Sequence, residues 1–126
     1  MARWSSAVGP GAHERMRFVF VDRILDLEPS RRILTTKSLP LLDGYLTGRY
    51  PGEPLVPASM VIECLAQAGG WLNLVSRDFG VKSVLALVEG FRLYRPLRAG
   101  ETLLIDVRAV YGHRNGATVP IRMVSC

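Results

Sequence analysis

Cysteine and histidine are scarce in this chain, with two of each among its 126 residues. Cys64 sits mid-chain and Cys126 at the last position, too few and too scattered for a disulfide framework or a metal cluster. His13 and His113 stand alone. A reducing, cytoplasmic setting is the default expectation. Lysine is nearly absent too, so the formal charge of +5 rests on arginine. That charge suggests an acidic partner or substrate without saying which. No basic block alternates with aromatic residues, which argues against nucleic acid. Residues 1–15 contain no apolar core, so no secretory signal is expected there. Neither an internal repeat nor a low-complexity stretch is present. With 48% hydrophobic and 21% charged residues, the chain reads as one globular domain over 15–126 behind a loose leader at 1–14.

The longest apolar stretch runs from Leu55 to Val75. Pro57, Glu63, Gln67 and the Gly69-Gly70 pair argue against a membrane span and for a core helix. Pro57 and Ser59 are sensible residues for its start. Glu63 and Gln67 are the strongly polar interruptions in a helix apolar nearly all round. Such a helix is buried, and a carboxylate on it is costly unless paired. Glu63 is thus the first candidate for function, against the plainer reading of a structural carboxylate bonded to backbone or to an arginine.

Around this helix the pattern is strand-like. Phe18–Val21 reads as a strand or strand-like entry, Ile24–Leu27 as a strand ending at the Glu28-Pro29-Ser30 turn, and Arg32–Lys37 as another. Glycine and proline crowd residues 38–57 and mark a shaped loop. After the helix come extended patterns over Lys82–Tyr94, Thr102–Tyr111 and Ala117–Val124, with turns at 98–101 and 112–116. Strands set around one long helix give an α+β class. The helix must be wrapped by the sheet, or by the sheet and a second subunit.

The loop and helix together carry a motif. Gly48, Pro51, Gly52, Pro54, Pro57, Glu63, Ala66 and Gln67 match a pattern G-H-F-P-G-x-P-x-x-P-G followed by an apolar run into E-x-x-A-Q. In this it resembles the β-hydroxyacyl-ACP dehydratases of the FabZ type. Phe18–Arg23 with Leu27-Glu28-Pro29 resembles the family's opening. Arg92, Arg95-Pro96 and Gly100-Glu101 resemble its later strand and turn. The resemblance implies a hot-dog fold, a long central helix wrapped by a curved antiparallel sheet. It also implies dimers, possible trimers of dimers, and an active site at the dimer interface. The implied reaction eliminates water from a 3-hydroxyacyl thioester to give a trans-2-enoyl thioester, in fatty-acid or polyketide biosynthesis. The resemblance implies no metal or redox cofactor; the substrate would ride on the phosphopantetheine of an acyl carrier protein. A backbone N–H near Pro57, Ala58 and Ser59, at the helix start, would hold the thioester carbonyl.

The family pairs a histidine of one subunit with a glutamate of the other. The glutamate corresponds to Glu63. The histidine position is Arg49, fourteen residues earlier as in the pattern. Arginine stays protonated and cannot act as a base, so a homodimer is expected to be inactive or slow. A heterodimer with a related subunit that keeps its histidine would restore one composite site. Arg49 itself is a salt-bridge partner, a phosphate contact, or drift after loss of activity. Gln67 shares Glu63's face and either supports it or packs as an amide. Tyr50 stands where the family has phenylalanine and is expected to wall the acyl pocket. Arg92, Arg95 and Arg98 are candidates for carrier-protein contact, against the plainer reading of a solvated strand face. Two rival readings are a hot-dog thioesterase, in which a helix carboxylate works without histidine, and a non-catalytic partner subunit. The family's domain continues past the position of Cys126 with a turn and a last strand. A chain stopping there would leave a sheet edge open.

Overall fold

The computed structural model describes residues 19–39, 55–113, 116–118 and 121–125, with side chains described as far as Val110. Strands β1 (Arg23–Glu28) and β2 (Arg32–Ser38) form a hairpin, followed by helix α1 (Ala58–Ser76) and strands β3 (Thr102–Arg108), β4 (Tyr111–His113), β5 (Gly116–Thr118) and β6 (Ile121–Ser125). One antiparallel sheet has the order β1-β2-β3-β6, and β4 pairs with β5. This is the α+β arrangement expected, one helix against an antiparallel sheet.

Alternation places the core. Ile33 and Thr35 of β2 and Leu103, Ile105 and Val107 of β3 are fully buried, while their neighbours in each strand are not. Period-two side chains put these residues on one face, and α1 lies across it. The helix offers Met60, Val61, Cys64, Leu65, Ala68, Gly69 and Leu72, one face at three- and four-residue spacing. Each fully buried valine, leucine, isoleucine or methionine side chain is worth roughly 1.5–3 kcal/mol. β1 is an edge strand, mostly exposed, with its register broken between Ile24 and Asp26. Such a bulge is a common device at a sheet edge.

Pro57 is the N-cap of α1. Its backbone is extended (φ −61°, ψ 142°) and its carbonyl accepts from Met60 N–H (3.0 Å). A proline fits there because no intrahelical donor is needed. The helix continues through Gly69-Gly70 and ends at Ser76 with Arg77 as C-cap, and Asp78 and Phe79 beyond it are both in the left-handed region. Near that end Ser76 Oγ accepts from Ser30 N–H (2.6 Å), tying the helix to the β1–β2 turn.

Residues 19–22 take the strand-like alternative, with Asp22 N–H donating to Thr36 O (2.9 Å) but no strand of their own. Four sequence expectations change. The strand expected over Thr102–Tyr111 divides into β3, ending at Arg108, and β4, beginning at Tyr111. Gly112 and His113 belong to β4, and Gly116 to β5, rather than to a turn. The helix is buried along one face, not all round: Trp71 is exposed, and Glu63 and Gln67 are half-buried. Lys82–Tyr94 is not a strand. A strand exists only against a neighbour, and within the described residues this stretch makes no backbone ladder, leaving Val84, Leu87 and Tyr94 85%, 72% and 89% exposed. Among the described residues no helix is long and apolar enough to cross a membrane.

Candidate functional site

Ser59, Glu63, Gln67 and Trp71 follow one another every fourth residue along α1, so they form one stripe. This stripe borders the packed face. Gln67 Nε2 donates to Glu63 Oε1 (2.9 Å), and Gln67 Oε1 accepts from Phe20 N–H (2.8 Å). Chemistry fixes the amide's orientation, because a backbone N–H can meet only the oxygen and a carboxylate only the nitrogen. Gln67 therefore bridges the Phe20 backbone and the Glu63 carboxylate. Glu63 Oε2 accepts no hydrogen bond among the described residues.

At the helix start, the N–H groups of Ala58 and Ser59 have no hydrogen-bond partner among the described residues. First-turn amides lack intrahelical acceptors, and the helix dipole adds partial positive charge there. Ser59 is exposed, and Glu63 lies one turn beyond it. The segment before the helix is fixed by Val56 N–H donating to Leu97 O (2.8 Å) and by the Leu55–Arg98 bridge. The candidate carbonyl-binding amides and the candidate carboxylate thus stand on one rigid element. Arg49 and Tyr50 lie outside the described residues.

Arg92, Arg95 and Arg98 are exposed along the stretch that leads to β3. Arg95 donates to Glu101 Oε1 (3.0 Å) and to Pro96 O (3.0 Å). The Arg95 hydrogen bond holds the Glu101 carboxyl below the usual carboxylate range. Cys64, beside Glu63 in sequence but turned into the core, has its thiol pushed up to about 12 by burial. It stays protonated at neutral pH and is no nucleophile. Among the described residues no group of three or more histidine, cysteine or acidic side chains could hold a metal. A cavity of about 370 Å³ at the far end of the sheet is lined by Glu28, Arg31, Arg32, Arg108 and Ala109. Every cation lining it is already matched to a carboxylate, Arg31 to Glu28 and Arg32 and Arg108 to Asp106.

The structure adds a pair that the motif did not indicate. Lys37 is 7% exposed on the inward face of β2, with Nζ 3.2 Å from Asp22 Oδ1 and 5.8 Å from the centre of the Phe20 ring. The period-two pattern of Ile33, Thr35 and Lys37 was enough to find it, since it puts a lysine on a core-facing position.

Curated proteins resemble the chain over most of its length. The 3-hydroxyacyl-(acyl-carrier-protein) dehydratase FabZ of Symbiobacterium thermophilum is 35% identical over 97 residues, 76% of this chain and 68% of the relative. The protein of the same name from Pediococcus pentosaceus is 32% identical over 106 residues, 83% of this chain and 71% of the relative. The chain belongs to the FabZ dehydratase family. The FabZ of Chloroflexus aggregans is 37% identical over 95 residues, 75% of this chain and 66% of the relative. No family model matches the chain. As a FabZ-family member the chain is a dehydratase-like protein of the lyase type, and its helix with Glu63 and Gln67 is the element on which the family's E-x-x-A-Q pattern falls.

Proposed function

We propose that this chain is a subunit of a 3-hydroxyacyl thioester dehydratase with a hot-dog fold, whose sheet curves around α1 once a second subunit is in place. The observation that carries this reading is the Glu63–Gln67 pair, a carboxylate oriented by an amide on a rigid helix. The reaction removes a proton from the carbon next to the thioester carbonyl and expels the 3-hydroxyl as water, leaving a trans-2 double bond. Glu63 Oε2 is the group that exchanges a proton with the departing hydroxyl. The N–H groups at Ala58 and Ser59 receive the thioester oxygen, where negative charge develops. Tyr50 walls the acyl pocket. The acyl chain arrives on the phosphopantetheine of an acyl carrier protein, an acidic partner that Arg92, Arg95 and Arg98 suit, in a cytoplasmic fatty-acid or polyketide pathway.

The base is the missing part. Arg49 occupies the position where the family pattern has histidine, and a guanidinium takes no proton at working pH. A homodimer is therefore slow or silent. A heterodimer with a histidine-bearing relative has one complete site, built from that histidine and Glu63. The stretch 84–94, apolar, exposed and without a ladder partner, supports placing the second subunit there. Arg49 also favours a second reading, a non-catalytic subunit that shapes an active partner. Co-expression with a histidine-bearing FabZ relative, followed by hydration of a crotonyl thioester, separates them. The composite-site reading expects the pair's added activity to vanish with Glu63→Gln in this chain; activity that survives the substitution rejects it.

A further inference from the structure

A lysine at 7% exposure on the inward face of a strand is costly unless something offsets its desolvation. Lys37 has two such partners, the Asp22 carboxylate at 3.2 Å and the face of the Phe20 ring at 5.8 Å. Asp22 does more than neutralise it. Its Oδ2 accepts from Ser38 N–H (2.6 Å), and its own N–H donates to Thr36 O (2.9 Å). These contacts clamp residues 20–22 against the end of β2, although this segment has no strand ladder of its own. The clamped segment carries the Phe20 N–H, which holds Gln67 Oε1 at 2.8 Å. Gln67 then presents its Nε2 to Glu63 at 2.9 Å. The order of contacts runs from Lys37 and Asp22 through the Phe20 backbone to Gln67 and Glu63.

We infer that Lys37 and Asp22 are positioning residues for Glu63, acting through Phe20 N–H and Gln67. The inference rests on the reading of Glu63 as the catalytic carboxylate, and it assigns the pair no contact with substrate. An apolar side chain at position 37 would fill the same space at lower desolvation cost, so packing alone does not call for a lysine there. What an apolar residue lacks is the charge that draws Asp22, and with it the Phe20 amide, into place.

The test uses this chain in an Arg49→His background, with crotonyl thioester hydration as the assay and the Phe20 backbone and Gln67 side-chain amide signals followed by NMR. Lys37→Met is expected to lower kcat about tenfold with KM little changed, and to shift both amide signals, in a protein that is still folded by circular dichroism. Lys37→Arg restores both readouts. Lys37→Met added to Gln67→Ala lowers the rate no further, because the pair acts through Gln67. Unmoved amide signals in Lys37→Met, or rate losses that multiply in the double variant, would overturn the inference. Should Lys37→Met fail to fold, Asp22→Asn, which keeps the shape and an acceptor for Ser38 N–H, is judged by the same readouts. An inactive host would count against Glu63 as the catalytic carboxylate, while the amide signals would still decide whether the clamp orients Gln67.

Discussion

β3 and the stretch from Lys82 to Tyr94 carry the same kind of sequence and meet opposite fates. Both are rich in branched apolar residues. β3 lies between β2 and β6, is hydrogen-bonded on both sides, and buries Leu103, Ile105 and Val107 completely. The stretch 82–94 has no ladder partner among the described residues and leaves Val84, Leu87 and Tyr94 in solvent. The difference lies in the neighbours, not in the residues. A strand pattern reports what a segment is ready to pair with, and only the fold decides whether the same chain supplies the partner. The two faces of α1 show the same contrast. The face toward the sheet is apolar and closed, and the stripe through Glu63 and Trp71 is left for something else to cover.

Substitutions break this comparison in a graded way. The largest effect on stability is expected in the sheet centre. Ile105→Ala should cost about 2–5 kcal/mol, measured by urea denaturation. Leu87→Lys, in the exposed stretch, should leave a dilute single chain nearly as stable as before but weaken the proposed dimer, read in sedimentation as a shift toward monomer. A large stability loss for Leu87→Lys without any change in assembly would mean that the stretch packs within its own chain.

Thr35 sharpens the picture of the closed region. Its Oγ1 is fully buried with no hydrogen-bond partner among the described residues. Thr35→Val removes an unsatisfied hydroxyl at nearly constant shape and should raise stability by roughly 1 kcal/mol, read as a higher denaturation midpoint. An unchanged or lower midpoint would show that the hydroxyl has a partner in solution.

The smallest expected effect is electrostatic. Asp106 on β3 meets Arg32 on β2 through two hydrogen bonds, at 2.7 Å and 3.2 Å. The Arg32 hydrogen bond first, and the Arg32 and Arg108 charges after it, hold the Asp106 carboxyl below its ordinary value. A carboxyl lowered by folding contributes stability that is fully present above its unfolded pKa of about 4. That contribution is lost as pH falls through the lower folded value. Asp106→Asn should therefore flatten the acid side of the stability profile and leave its slope near neutrality unchanged, as followed by denaturation between pH 2 and 7.

Much of this was legible in the residues. The helix was marked by its apolar run and by Pro57, the β1–β2 hairpin by the turn at Glu28-Pro29-Ser30, and Glu63 by being a carboxylate in an apolar setting. The motif around Glu63 identified a family that the curated relatives then established. Three features were not legible, for different physical reasons. The partner of Gln67 is a backbone amide 47 positions away, and a backbone group leaves no mark in composition. The helix's open face could not be told from its closed one, because Ile62, Ala66 and Trp71 are as apolar as the residues that pack. The missing ladder at 82–94 depends on neighbours, which a single segment does not encode.

The central claim is that Glu63 stands in a competent dehydratase pocket that lacks only a base. Crotonyl thioester hydration by Arg49→His beside the wild type tests it most directly, with Arg49→His plus Glu63→Gln as the control. The account predicts a gain of at least about a hundredfold for Arg49→His, abolished by Glu63→Gln. No gain, or a gain that persists without the Glu63 carboxylate, would contradict it.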